Sequence, residues 1–130
     1  VRVRIHPSGI GFGGGAAFDK GDLERWRATV ADARRGTALE AALAPLRELP
    51  HSEVAGEALK RVPAPYEADD PRGVLLRHKM IQVRWQQPVP AEFWDERFVD
   101  WCFERLMRFE AFHHWLLANM AGGVHAAPSR

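Results

Sequence analysis

From Ala91 to Asn119 the chain carries apolar side chains around almost the whole circumference of a predicted helix, and this limits what it can fold into. Phe98, Val99, Cys102, Leu106, Phe109, His113 and Leu116 form a central stripe at helical spacing. Phe103, Met107 and Trp115 point well away from that stripe, and Trp94, Trp101 and Phe112 flank it. Such a helix is buried on more than one side. A chain of 130 residues makes one domain with a single core and has little surface to spare. The expected cover for the 91–119 helix is therefore a partner subunit, as in a homo-oligomer, or a missing N-terminal segment.

The rest of the pattern supplies a sheet for this helix to pack on. Val1, Val3 and Ile5 alternate with Arg2, Arg4 and His6, the period of a half-buried strand, and Pro7-Ser8-Gly9 closes it as a turn. Ile10–Phe18 is Gly-rich and apolar and reads as the return strand. A third strand spans Lys79–Trp85, where Ile81, Val83 and Trp85 alternate with Gln82 and Arg84. Between them a helix is predicted over Asp22–Arg34, capped by Asp19 or Asp22, with Leu23, Trp26 and Val30 on one face and Gly36 as its stop. Thr37 and Glu40 have capping-box spacing for a second helix, which Pro45 should end or kink. Ser52–Leu59 is expected as another short helix, and Asp70-Pro71 opens a further one. The fold class is α+β: one domain over residues 1–120, with a small antiparallel sheet against the Asp22–Arg34 and Ala91–Asn119 helices, and 121–130 as a tail.

Charge and cysteine usage narrow the function. A formal charge of +1 gives no global attraction to nucleic acid or anionic membrane. No apolar run approaches the roughly 20 residues that span a bilayer, and no signal-peptide pattern opens the chain. The cytoplasm is the expected location. Cys102 stands alone, which excludes an internal disulfide and a Cys-rich metal site. The first residue is Val and a strand begins at once, which points to a truncated or processed start.

The densest chemistry lies between Leu59 and Lys79. Lys60, Arg61, Arg77 and Lys79 could surround an anion, with Tyr66 adding a hydroxyl and Pro63 and Pro65 stiffening the connector. Against this, Glu57, Glu67, Asp69 and Asp70 could neutralise those cations in a structural network. Glu67, Asp69 and Asp70 could also hold Mg²⁺, but helix capping explains them more simply. The same segment resembles the domain of unknown function 2461 family, in Leu59, Lys60, Arg61, Pro63, Tyr66, Asp69, Pro71, Leu75, Leu76, Arg77 and Lys79. Pro65, Glu67 and Asp70 depart from its usual Gly, Asp and His. The similarity extends over most of residues 9–117. It implies an α+β fold with an antiparallel sheet and no established activity or cofactor. It also implies a longer chain, whose N-terminal half has no counterpart here.

Other motifs are weaker. Gly9-Ile10-Gly11-Phe12-Gly13-Gly14 satisfies G-x-G-x-x-G, but no helix opens at its last glycine, so a strand permitting close approach is the better reading. Glu110-x-x-His113, with His114, lacks the second motif a di-metal site requires. Arg84-Trp85 is a poor nucleic-acid contact if Trp85 faces inward. No metal or cofactor is expected, and whether the chain is an enzyme stays open. The leading reading is a binding or enzymatic half-site for an anionic small molecule on Lys60, Arg61, Tyr66, Arg77 and Lys79. The alternative is a non-catalytic module that docks a second chain through the aromatic helix.

Overall fold

Two-sided pairing of one glycine-rich strand organises the molecule. In a computed structural model, which describes residues 1–120, β1 (Arg2–His6), β2 (Gly9–Ala17), β3 (Ser52–Ala55) and β4 (Met80–Gln87) form a four-stranded antiparallel sheet in the order β1-β2-β4-β3. The β2–β4 ladder runs from Ile10 opposite Gln87 to Ala17 opposite Met80. Because side chains alternate, Ile10, Phe12 and Ala16 share one face with Ile81, Val83 and Trp85, and all six are buried. The helices pack there: Phe12 meets Trp101 with ring centroids 5.6 Å apart. The 121–130 segment lies outside the described residues.

The fourth strand corrects the sequence reading, which expected a helix over Ser52–Leu59. The outer edge of β4 needs hydrogen-bond partners, and Ser52–Ala55 supplies them, with Val54 opposite Val83. Ser52 Oγ also donates to the Leu46 and Leu49 carbonyls at the end of the preceding helix, at 2.6 and 2.8 Å. Gly56, at φ +130°, then turns the chain away, where a Cβ would strike the Met80 carbonyl.

The first two helices are α1 (Lys20–Ala31) and α2 (Ala33–Arg47). Asp19 caps α1 through the Asp22 amide, as expected. Asp32 ends α1 with an extended ψ of 126° and caps α2 by accepting from the Arg35 amide at 2.8 Å. The expected stop at Gly36 and start at Thr37 therefore both fall inside α2. Gly36 serves packing instead: a Cβ there would lie 2.1 Å from the Val30 carbonyl and 2.5 Å from Arg72 Nε. Pro45 sits in the last turn of α2, and the helix ends two residues later at Arg47. The helix expected to open at Asp70-Pro71 starts later: the short α3 (Gly73–Leu76) has Arg72 at its N-cap position and no side-chain cap, and Asp70 instead accepts from the Arg72 amide at 2.8 Å in the turn before it.

The C-terminal helix is interrupted. A 3₁₀ turn over Ala91–Trp94 precedes α4 (Arg97–Leu106), and a second over Met107–Phe109 joins α4 to α5 (Glu110–Asn119). The tighter 3₁₀ winding shifts the phase of the apolar stripe. Phe109 at the end of the second turn, and Phe112, Trp115 and Leu116 beyond it, are buried; before it, on α4, Trp101 is buried while Val99 from the predicted stripe is exposed. Trp26 on α1 links the layers: it stacks on Phe18, meets Trp115 edge-on and donates its indole N–H to the Leu75 carbonyl at 2.9 Å.

His78, between α3 and β4, is buried with Nδ1 3.0 Å from the Met80 carbonyl. Burial first, and then the Arg77 and Arg47 charges, hold its imidazole below the usual histidine range, although the Met80 contact opposes this. The unfolded chain binds this proton at about pH 6.5. Stability from the neutral ring is therefore complete above that pH and declines as pH falls from there towards the folded value. Urea midpoints should fall between about pH 7.5 and about pH 5.5, and His78→Asn should lose less over the same interval.

Candidate anion-binding site

The five residues singled out between Leu59 and Lys79 are placed as follows. Arg77 Nε donates to the Leu59 carbonyl at 2.8 Å, locking the two ends of the elbow together. Lys79 Nζ lies 3.1 Å from Glu57 Oε1. Tyr66 is half-buried against the core, whereas Lys60 and Arg61 are exposed. Two of the four cations thus have partners that hold the segment in shape. Asp70 holds the turn before α3 through the Arg72 amide, and among the described residues no group of His, Cys, Asp and Glu is arranged to hold a metal ion. His113 is half-buried, and its pKa is lowered by burial, then by the N-terminal charge and His114. Burial raises the Cys102 thiol pKa, with the Arg105 charge opposing, so the thiol is not activated.

A different set of cations converges on the second face of the sheet. The register places Arg2 opposite Gly13 and Gly13 opposite Arg84, and in the next row Arg4 opposite Gly11 and Gly11 opposite Gln86. Gly15 faces Gln82, and His6 lies beside Gly9. The glycines leave the middle of this face without side chains, so β2 forms a floor between basic β1 and polar β4. The result is a trough with a cavity of about 260 Å³, lined among others by Arg2, Arg4, His6, Gln82, Arg84 and Gln86. None of the described side chains lining it is a carboxylate.

Arg2 extends over the floor: a Cβ on Gly13 would lie 3.9 Å from its Nε and 4.0 Å from its Nη2. The Gln86 carboxamide closes over Gly11 in the same way, 3.0 to 3.1 Å from the place of a Cβ. Arg84 is held by long contacts, Nε to Gln82 Oε1 at 3.4 Å and Nη1 to Glu53 Oε1 at 3.4 Å. Arg2 Nη1 is enclosed and, among the described residues, has no hydrogen-bond partner. Burial, and then the Arg4 and Arg84 charges, lower the Arg2 pKa. Positive charge is therefore concentrated here without full compensation.

The parts were visible in the sequence, but their convergence was not. The alternation of Arg2, Arg4 and His6 read as the solvated side of a strand, and the glycine row as permitting close approach, which it does. Trp85 does face the core, so Arg84-Trp85 offers no stacking surface on this side.

These features define the class: an α+β protein with an antiparallel sheet, helices against one face, and a basic, glycine-floored second face. The chain belongs to the conserved hypothetical protein family DUF2461, whose model matches residues 2–115. That match takes in β1 and with it the basic wall of the trough. Neither a curated protein nor a solved structure matches the chain. Among the described residues, no helix is long and apolar enough to cross a membrane.

If Arg2 is held against like charges, replacing it by an uncharged side chain of similar reach should relieve the sheet. Arg2→Met should raise stability by roughly 0.5 kcal/mol at low ionic strength, the scale of cross-strand charge interactions. The gain should shrink in high salt, as measured by chemical denaturation.

Proposed function

We propose that the open sheet face binds a small anionic ligand and that this is the protein's biochemical role. The single observation that carries the reading is Nη1 of Arg2, enclosed without a hydrogen-bond partner among the described residues, in a cavity whose described lining holds no carboxylate. An enclosed donor left unpaired is costly in the empty protein, and an anion removes that cost while bridging towards Arg84. Guanidinium forks suit carboxylate or phosphate oxygens, and a floor of glycines lets the ligand approach the backbone. Compared with the elbow at Lys60, Arg61, Tyr66, Arg77 and Lys79, this face combines several cations with a hollow. Titration calorimetry with inorganic phosphate at low salt tests it. Binding should weaken about 10- to 100-fold in Arg2→Ala and in Arg84→Ala, as expected when a hydrogen bond to a charged group is lost. Arg61→Ala should change it little. Equal affinity in all three variants, or no binding to the parent protein, would overturn the proposal.

One observation favours a second, non-catalytic reading. Val99 and Phe103 on α4 and Met107 just after it are 71%, 62% and 45% exposed, and Trp94 just before α4 is 82% exposed. That surface suits docking of a second chain. Light scattering at high micromolar concentration should then show a dimer of this chain that Phe103→Glu disperses; a strictly monomeric parent protein would count against self-association.

A further inference from the structure

We infer that the ligand of this face is a phosphate monoester of a small, polyhydroxylated alcohol or sugar; the inference rests on the anion-binding reading above. The register supplies the first argument. Arg2, Gly13 and Arg84 lie in one row across three neighbouring strands. Strands lie about 4.8 Å apart, so the two arginine backbones bracket the glycine at a separation of about 10 Å. Arg2 reaches inwards over the bare residue, and Arg84 stands on the opposite wall, held only by 3.4 Å contacts to Gln82 and Glu53. A planar carboxylate has two oxygens, which a single fork can satisfy. A phosphate monoester has three terminal oxygens in a tetrahedral arrangement, so it can accept from both walls at once.

The next row supplies the second argument. Two residues along the strands, about 7 Å away, Arg4 and Gln86 face each other across Gly11. A second anionic group would call for cations on both walls there, but the β4 wall offers a neutral carboxamide. That amide has donor hydrogens and an acceptor oxygen, which matches hydroxyl groups that both donate and accept. Its position over Gly11 puts it beside the floor, within reach of whatever the phosphate carries.

Size and the lack of a stacking surface supply the third. At about 260 Å³ the cavity falls below the range typical of drug-sized ligands. The aromatic side chains of these strands, Phe12 and Trp85, are buried and share the opposite face with the core. A nucleobase therefore finds no ring to stack on, and the ligand is compact and polar beyond its phosphate.

Calorimetry with the full chain and four probes tests this: inorganic phosphate, glycerol phosphate, ribose phosphate and adenosine monophosphate. Ribose phosphate should bind about tenfold more tightly than inorganic phosphate, the gain of one or two neutral hydrogen bonds. Gln86→Ala should abolish that advantage, bringing ribose phosphate to the affinity of inorganic phosphate, and Arg2→Ala should weaken both. Gln86 is exposed, so its truncation leaves the fold intact. Equal binding of all four probes, tighter binding of the nucleotide than of ribose phosphate, or an undiminished sugar preference in Gln86→Ala would overturn this inference alone. Failure of every probe to bind would overturn the anion-binding reading with it.

Discussion

The structure depends on β2 being two different surfaces at once. Its even-numbered residues Ile10, Phe12 and Ala16 anchor the core, while its odd-numbered residues from Gly9 to Gly15 are all glycine. Glycine normally weakens a strand, because the chain loses more freedom on ordering and gains no side-chain packing. Here the loss is offset by position: β2 is paired along both edges, with β1 on one side and β4 on the other. Gly14 is the exception on the core face, where Phe109 packs at ordinary contact distance, 3.5 Å from the place of a Cβ. The same strand thus fixes where the helices sit and where the opposite face stays hollow.

Away from the sheet, long polar side chains are used to close backbone ends. Arg72 Nε donates to the Val30 carbonyl at 2.7 Å, and its Nη2 to the Ala31 carbonyl at 3.4 Å. These are carbonyls of the last turn of α1, where helical partners run out and a positive charge is favoured by the helix dipole. Arg77 does similar work on Leu59, and the Trp115 indole donates to the Arg35 carbonyl at 2.9 Å. The basic character of the elbow follows partly from this duty. A cation pointed at a carbonyl has found its partner within the fold, so the density of charge along a segment says little about a ligand.

How much could be read in the chain beforehand follows from where the information resides. Period-two alternation is local, so β1 and β4 were legible, and so was the inward turn of Trp85; β2 was legible as the Gly-rich, apolar return after the Pro7-Ser8-Gly9 turn. Ser52–Ala55 has no such pattern; its strand character comes from the free edge of β4, which lies far along the chain. Gly36 looks like a helix stop because the sequence does not reveal that Val30 and Arg72 press against it. The 3₁₀ turn at Met107–Phe109 likewise shifts the buried stripe by a rotation that residue spacing alone does not announce. The trough needs Arg2, Gly13 and Arg84 to fall in register across three strands, two of them separated by most of the chain. Each residue was visible, and their meeting was a tertiary fact.

That meeting has a direction. Along the row Glu53–Arg84–Gly13–Arg2, the carboxylate stands at the β3 edge, its neighbour Arg84 makes a 3.4 Å contact with it, and Arg2 stands furthest from it, at the β1 edge. Cross-strand rows usually gain by setting opposite charges side by side. This row does so at one end only, then inserts a glycine where a carboxylate on β2 could have neutralised both arginines. The glycine therefore preserves the positive field by failing to quench it, as well as leaving space. A single departure from local consistency could be accidental, but here an enclosed unpaired donor, adjacent like charges and a missing counter-charge coincide over one hollow. Such clustering of unfavourable choices, in a sheet whose other face is conventionally packed, is the departure from local consistency on which the anion-binding proposal rests.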